Sequence, residues 1–197
     1  MSLENHKVLY FTVTAILALL VASPALQHFL VYPQTEFFTE LWLLGPEQKA
    51  ENYPYNITQN VNNRVYLGIG NHLGECSSYR VDVKLRNQNT PGPDSFNRTP
   101  SALPSLYSFN IVVADGQIVQ VPVDFSFSYR EAGSQINFDT LTINSAQINI
   151  NGYSTSWNST NQEYFEKLVF ELYLYNSTLG GFQYHERFVD LRLNMLP

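Results

Sequence analysis

The sequence predicts an all-β fold, an antiparallel β-sandwich, preceded by a single N-terminal transmembrane helix. Three observations predict it. A long uncharged run occupies the start of the chain, the remainder alternates apolar and polar residues over several short stretches, and turn-forming residues separate those stretches. We therefore expect residues 1–35 to form a cytoplasmic stub and the transmembrane helix, and residues 36–197 to form an extracytoplasmic domain.

The composition fits one or two small folded domains and excludes several classes of protein. The 197 residues carry 11 Lys and Arg against 17 Asp and Glu, a formal charge of −6, which argues against nucleic acid as a partner. Hydrophobic residues make up 44% of the chain, so a core can form. Cys76 is the single cysteine, so no disulfide can form within the chain. We expect no cofactor.

The first predicted element is a helix over the uncharged run Val8–Val31. As a helix the run spans about 36 Å at about 1.5 Å per residue, enough to cross a hydrocarbon core of about 30 Å. Pro24 lies inside the run and is expected to kink the helix or to mark its outer turn. Lys7 precedes the run and Glu40 follows it, so the positive-inside rule places the N-terminus in the cytoplasm. The first predicted partner is thus the lipid bilayer of the cell membrane, which the chain would cross once.

A cleaved signal peptide is the alternative for this run. Ser23-Pro24-Ala25 offers the small residues of a possible cleavage site, and Lys7 supplies the preceding positive charge. The length of the run favours a retained anchor.

The strands are predicted from strict alternation of apolar and polar residues, the period of a strand with one buried face and one in water. Four stretches alternate cleanly: Tyr79–Leu85, Val119–Phe127, Leu168–Leu174 and Val189–Met195. Five weaker candidates complete the set: Phe38–Leu44, Arg64–Gly70, Leu106–Ala114, Gln135–Ile143 and Gln147–Tyr153. Eight or nine strands in about 160 residues predict the antiparallel sandwich.

Two stretches interrupt the alternation and predict long surface loops. Gln88–Pro104 contains four prolines, and Ser154–Gln162 is rich in Ser, Thr and Asn. Pro122 lies inside a predicted strand, and because proline cannot donate a ladder hydrogen bond, we expect it on an edge.

Four Asn-x-Thr sequons are candidate glycosylation sites, at Asn56, Asn97, Asn158 and Asn176. All four fall in turns of the predicted structure, where a glycan would be tolerated on an extracytoplasmic domain. N-glycans are therefore possible attachments, although the Asn-rich composition produces nearly as many sequons by chance.

A copper site is the one metal site that the residue types suggest. His72, Cys76 and His185 with Met195 are the ligand types of a blue-copper centre, which a small β-sandwich can hold. Their order is unlike the short C-terminal ligand loop of that class, and Met195 alternates with core residues. The favoured interpretation is a free or buried Cys76 and no metal.

Other chemical signatures are missing from the sequence. Gly68, Gly70 and Gly74 approach a dinucleotide loop, but Leu73 takes the place of the third glycine and no helix pattern follows. No hydrolase, metalloprotease or zinc-ribbon motif is present. We therefore expect the protein not to be an enzyme.

The most distinctive segment is Phe38–Pro54, which reads FTELWLLGPEQKAENYP. It resembles the start of the soluble part of archaeal membrane proteins called domain of unknown function 1616. The likeness is best over Phe38–Leu85, and Arg187–Leu191 looks like the closing strand of that family. The chain departs from the family in having one span, Gln48 where glycine is common, and extra loop within Gln88–Gln162. The resemblance implies an archaeal, membrane-tethered, outward-facing immunoglobulin-like domain, and no reaction.

The leading hypothesis from the sequence is a non-catalytic accessory subunit. A helix would hold a β-sandwich at the outer membrane face, where it contacts other membrane or envelope protein subunits. A self-assembling, pilin-like surface filament is one alternative, although Lys7-Val8 lacks the glycine of an archaeal pilin processing site. A copper-binding component of a membrane enzyme is the other.

Overall fold

The computed structural model describes residues 3–29 and 36–197 of the chain. Two compact units result, Met1–Glu36 and Phe37–Pro197, and each is described by itself. The first contains one helix, α1 (Leu3–Phe29). Within the described ranges, no helix combines the length and the apolarity needed to cross a bilayer. The last two residues of the predicted span Val8–Val31 lie outside these ranges.

Helix α1 forms from residues with good helix propensity, mainly Ala and Leu. The hydroxyls of two threonines donate hydrogen bonds to backbone carbonyls of the same helix. Thr12 donates to the Val8 carbonyl at 2.9 Å, and Thr14 donates to the Tyr10 carbonyl at 2.7 Å. Pro24 lies inside the helix, which continues to Phe29.

The second unit consists of strands, so the all-β prediction is confirmed. The strands are β1 (Phe38–Leu44), β2 (Asn56–Ile57), β3 (Asn63–His72), β4 (Ser77–Asn87), β5 (Tyr107–Val113), β6 (Ile118–Ala132), β7 (Gln135–Ile143), β8 (Ala146–Asn149), β9 (Ser154–Asn158), β10 (Glu163–Asn176) and β11 (Gly181–Met195). All nine predicted strands are present; β1 and β7 have the predicted bounds, and the other seven differ at one or both ends.

The eleven strands form one curled sheet in the order β1-β3-β6-β7-β9-β10-β11-β2. β8 adds to β7, while β4 pairs with β10 and carries β5 at its other side. We call β1, β3, β6, β7 and β8 the first arm, and β2, β4, β5, β10 and β11 the second arm. Strand β9 connects them, because it pairs with both β7 and β10.

One hydrophobic core collects residues from both arms. Leu67 of β3 and Phe127 of β6 come from the first arm, and Phe170 and Leu172 of β10 come from the second; all four are fully buried. They are apolar positions of the alternating patterns, so the period-2 signal identifies the buried face correctly.

Two sequence expectations about strands have different outcomes. The prediction of a loop over Ser154–Gln162 is wrong for its first half, which forms β9. This strand forms because it pairs with β7 and with β10. The expectation that Pro122 lies on an edge strand holds only locally: β6 pairs with both β3 and β7, but Pro122 lies opposite Tyr66 of β3, and β7 pairs with β6 only from Phe125 onwards. Pro122 therefore lies where β6 has a partner on one side, which a residue without an N–H tolerates.

The expectation that the polar residues of the second arm meet water is wrong for Asp82, Lys84 and Glu171. They are 5%, 4% and 0% exposed, respectively. The predicted loop Gln88–Pro104 lacks a named strand, as expected, and its Ser101 covers Lys84 and Glu171. Asp82 instead accepts hydrogen bonds from Arg80 and from Ser108 of β5. Alternation reports which face is polar, whereas a covering loop decides whether that face is dry.

We call Lys84, Ser101 and Glu171 the clamp cluster, since these residues hold the loop to the sheet. The Lys84 ammonium lies 2.8 Å from Glu171 Oε2 and donates to the Ser101 carbonyl at 3.1 Å. The Ser101 N–H donates to Glu171 Oε1 at 3.0 Å, and Tyr173 donates to Oε2 at 3.0 Å. Both carboxylate oxygens are thus satisfied, as a buried charge requires.

Candidate functional site

A groove runs along the seam between β1 and β11. It is lined by Leu41–Leu43 of β1, Tyr53 and Tyr55 of the following loop, and Phe188–Arg192 of β11. We call it the seam groove. Its volume of about 660 Å³ falls in the range of about 300–1,000 Å³ that is typical of ligand pockets. The lining is mostly apolar and aromatic with a few polar groups, the composition expected of a binding site.

Strand β1 presents different side chains on its two faces. Leu41 and Leu43 pack against the core, whereas Trp42 points to the opposite face. There the indole lies against Gly68 of β3: a Cβ placed on Gly68 would come within 2.1 Å of Trp42 Cε2. Gly68 is therefore needed for this close approach, and not for a nucleotide loop.

The turn after β1 brings the tyrosines to the groove. Gly45 begins it: its N–H donates to the Lys49 carbonyl at 2.7 Å, and its carbonyl accepts from the Gln48 N–H at 3.0 Å. The chain then returns, and the Tyr53 hydroxyl donates to the Leu43 carbonyl at 2.8 Å. This bond fixes the aromatic ring at the rim of the groove.

The charges at the groove are paired within the protein. Arg192 contacts buried Glu163, which also accepts a hydrogen bond from the Tyr55 hydroxyl at 2.7 Å. Burial alone would raise the pKa of Glu163, but the hydrogen bonds from Arg192 and Tyr55 outweigh it and lower that pKa. The hydrogen bond to Glu163 raises the pKa of Tyr55, so the phenol stays neutral. Asp190 pairs with Lys167 at 2.8 Å.

The edge of β1 that faces the groove carries outward-pointing backbone groups. Asn71 lies opposite Thr39 in the ladder, but its N–H donates to Gln117 and its carbonyl accepts from Gly116. Residues in such a pair turn both backbone groups away from each other, and the pattern repeats every second residue. Thr39 and Leu41 therefore direct their N–H and carbonyl away from β3.

Side chains donate hydrogen bonds to the backbone carbonyls at the two ends of this edge, and the backbone groups in its middle stay unpaired. Arg187 Nε donates to the Thr39 carbonyl at 3.2 Å, and Tyr53 covers the Leu43 carbonyl. Leu41, between them, has no backbone partner on this side among the described residues.

The edge of β11 is open over a longer stretch. The Asn194 N–H donates to the Tyr55 carbonyl at 2.7 Å, away from β10. By the same alternation Phe188, Asp190 and Arg192 direct their backbone groups away from β10. Over the part of the chain that the structure describes, these three residues have no backbone partner on that side. Both walls of the groove thus present unpaired strand edges.

A chain of polar side chains, buried except at His185, links β11 to β1 next to the groove. His185 Nε2 lies 2.8 Å from Thr39 Oγ1, which lies 3.1 Å from the Tyr79 hydroxyl; that hydroxyl donates to Asn71 Oδ1 at 3.0 Å. Desolvation lowers the pKa of His185, followed by the effect of Arg187, so the imidazole is neutral at pH 7. Thr39 and Tyr79 are at most 3% exposed, so their hydroxyls brace the two arms and are out of reach of a substrate.

The structure does not bring the copper candidates together as a cluster. His72 ends β3 with its ring stacked on Phe38, centroids 4.5 Å apart, and its Nε2 lies 3.8 Å from Glu40. Cys76 is exposed in the loop before β4, and His185 belongs to β11. In the described ranges, no three His, Cys, Asp or Glu side chains form a group that could hold a metal ion.

The four sequons lie on the surface of the second unit in different settings. Asn97 is exposed in a turn, whereas Asn56 lies in β2. Asn158 and Asn176 are the last residues of β9 and β10. The expectation that all four lie in turns is therefore wrong in detail, and their glycosylation stays a prediction.

A family profile described as "Domain of unknown function (DUF1616)" matches residues 33–141, more than half of the chain. The chain belongs to this family. The resemblance predicted over Phe38–Leu85 lies inside the matched range, whereas Arg187–Leu191 lies beyond it. Among curated proteins, none matches the sequence.

Several solved structures resemble the chain distantly. One is a chain of the complex between Zinc 2-glycoprotein and Prolactin inducible protein from human seminal plasma, with a TM-score of 0.38, 8% identity, and coverage of 84% of this chain and 100% of that one. A β-glucosidase from Listeria innocua gives TM-scores of 0.36 with glucose and 0.34 with gluconolactone. Identities are 8% and 9%, over 83% of this chain and 17% of the enzyme. At these TM-scores the likenesses carry no argument.

Sequence reasoning missed the seam groove but did single out its walls. The segment Phe38–Pro54 supplies Trp42 and Tyr53, and the segment Arg187–Leu191 supplies Asp190. Both segments resemble corresponding segments of the DUF1616 family. Their joint likeness was the available signal, since neither contains a catalytic motif.

Proposed function

We propose that this protein is a non-catalytic, membrane-anchored accessory subunit of an archaeal membrane or cell-envelope complex. Its immunoglobulin-like β-sandwich would lie outside the cell and bind a protein partner in the seam groove. The observation that supports this most is the groove itself, where unpaired strand edges flank an apolar lining. Proteins usually cover or blunt such edges, so an open pair is a binding surface.

The anchor in this proposal is supported by the sequence. The run Val8–Val31 carries no formal charge, and Lys7 precedes it. We expect the protein to stay with the membrane pellet after alkaline carbonate extraction, and its C-terminal domain to be digested by protease added outside intact cells. Release by carbonate, or protection of the domain, would contradict the anchor and its orientation.

The non-catalytic role is supported by what the groove offers chemically. Its charged groups are ion-paired, and its tyrosine hydroxyls are engaged with Leu43 and Glu163. These groups position a ligand and do not present a nucleophile with an adjacent base, which covalent catalysis needs.

Photo-crosslinking in native membranes tests the role of the groove. Tyr53 is replaced by p-benzoylphenylalanine, which keeps an aromatic ring at the rim. The matched control places the same residue at Phe96, which is 91% exposed on the loop over the clamp cluster. We expect position 53 to give one discrete protein adduct that position 96 does not give.

Identical adducts from both positions would show that the label reports collision only, and no adduct from position 53 would show that the groove is empty in the membrane. Either result would overturn the proposed function.

A further inference from the structure

We infer that the partner enters the seam groove as an extended, uncharged peptide segment that adds as a strand to the free edge of β11. This inference rests on the proposed function and names the chemistry of its partner. It is carried by three features of the described residues: the direction of the backbone groups, the pairing of the charges, and the walls of the groove.

The backbone groups are arranged to recognise another backbone. Phe188, Asp190 and Arg192 present their N–H and carbonyl groups to the groove at every second residue, and Leu41 does so from the facing wall. An extended segment presents donors and acceptors at the same period, so it can pair with this edge in register. Strand addition of this kind obtains affinity from main-chain hydrogen bonds and specificity from alternate side chains.

The charges indicate that the segment is uncharged. Arg192 is neutralised by Glu163 and Asp190 by Lys167, so the described residues that line the groove offer no free charge for an ionic ligand to match. A charged segment would have to break one of these pairs or lose its own hydration without compensation. The remaining sources of recognition are the apolar walls and the backbone edge.

The walls of the groove indicate that a single extended strand can enter it, whereas the edge of another folded sheet cannot. Leu41–Leu43 stand on one side of the groove and Tyr53 and Tyr55 at its rim, so the β11 edge lies inside a cleft. A second folded copy would need to bring its own sheet edge past these side chains. A single extended segment fits the cleft, and alternate side chains can enter the apolar lining.

The test uses the full chain in detergent and a probe peptide, acetyl-(Thr-Val)₄-amide, with a second peptide N-methylated at every other residue as the matched control. Amide hydrogen exchange of the protein is followed by NMR. We expect the first peptide to slow exchange at Asp190 and Leu41 at least about tenfold, because each amide gains a hydrogen bond. We expect the N-methylated peptide, which lacks the donors of one edge, to bind at least about tenfold more weakly.

Two variants at one position separate the backbone from the side chain. Asp190→Pro removes an N–H that points away from β10, so the β10–β11 ladder keeps its hydrogen bonds; Asp190→Ala removes the carboxylate and keeps the N–H. We expect Asp190→Pro to weaken peptide binding about tenfold and Asp190→Ala less than about threefold. Circular dichroism confirms that both variants are folded.

Equal binding of the two peptides, equal effects of the two variants, or no binding of either peptide would overturn the strand-addition inference. If the position 53 adduct still forms in membranes, the proposed function would stand without it. A concentration-dependent dimer that Asp190→Pro abolishes would assign the edge to a second copy and would also overturn the inference.

Discussion

The clamp cluster and the seam groove are two regions of the second arm that differ in how their polar groups are satisfied. In the clamp cluster a loop covers the outer face, and the buried carboxylate of Glu171 receives hydrogen bonds from Lys84, Ser101 and Tyr173. In the seam groove no described residue pairs with the β11 edge at Phe188, Asp190 and Arg192, and the backbone groups of these residues point into a cleft. The closed side has its polar groups satisfied within the protein, and the open side is the binding surface that we propose.

Removing a charge from the clamp cluster should cause the largest loss of stability. In Glu171→Gln, the buried Lys84 ammonium loses its counter-charge, and we expect unfolding to become easier by about 3–5 kcal/mol. Chemical denaturation measures this change. Arg130→Ala is the control, because it breaks the exposed pair with Asp139 and should cost about 0.2–1 kcal/mol. Equal costs for the two variants would show that the cluster is not a closed, dry site.

Filling the space above Gly68 should have the next largest effect. In Gly68→Ala the new methyl group overlaps the Trp42 indole, which must leave its position at the groove. We expect a loss of about 1–3 kcal/mol and a change in tryptophan fluorescence. Gly181→Ala is the matched control, because a Cβ there meets no atom of the described residues within 4 Å. An unchanged fluorescence spectrum in Gly68→Ala would mean that the indole does not rest on β3.

Glu166 is as buried as the residues of the clamp cluster but lacks their hydrogen-bonding partners. Its contribution to the stability of the fold should therefore depend on pH. The side chain is 1% exposed, Oε2 has no hydrogen-bond partner among the residues that the structure describes, and burial raises the pKa of Glu166 well above its usual range. A raised folded pKa gives stability that is fully present below the unfolded pKa and is lost as pH rises through the folded pKa.

Glu166→Gln should therefore be more stable than the wild type by on the order of 1 kcal/mol at pH 8, and the advantage should vanish at pH 4. Denaturation across this pH range checks the sign, with the exposed Glu51→Gln as the control. A constant difference between Glu166→Gln and wild type at all pH values would contradict a buried, protonated carboxyl.

The smallest change is expected at the open side. Tyr53→Phe loses one hydrogen bond, to the Leu43 carbonyl, at a rim where water replaces it. We expect a loss below about 1 kcal/mol and unchanged partner adducts from a photo-label placed at Tyr55. A loss as large as that of Glu171→Gln would mean that the rim stabilises the fold as the clamp cluster does.

Most of the strands and the core could be predicted from the sequence, whereas the site could not. Alternation over Leu168–Leu174 identified β10 because burial of one face leaves a local pattern. Trp42 and Arg192 line the same groove although they are far apart in sequence. Their proximity arises from the curl of the sheet, and no local sequence pattern encodes that curl. The burial of Lys84 and Glu171 depends on a loop that is far from Glu171 in sequence.

The most direct test of the account is amide hydrogen exchange in the free full-length chain. The account predicts fast exchange at Leu41 and Asp190, whose N–H groups face the open groove, and slow exchange at Val189 and Phe170, which bond to each other across the β10–β11 ladder. Slow exchange at all four amides would mean that the groove is closed by the protein itself, and the proposed binding site would not exist.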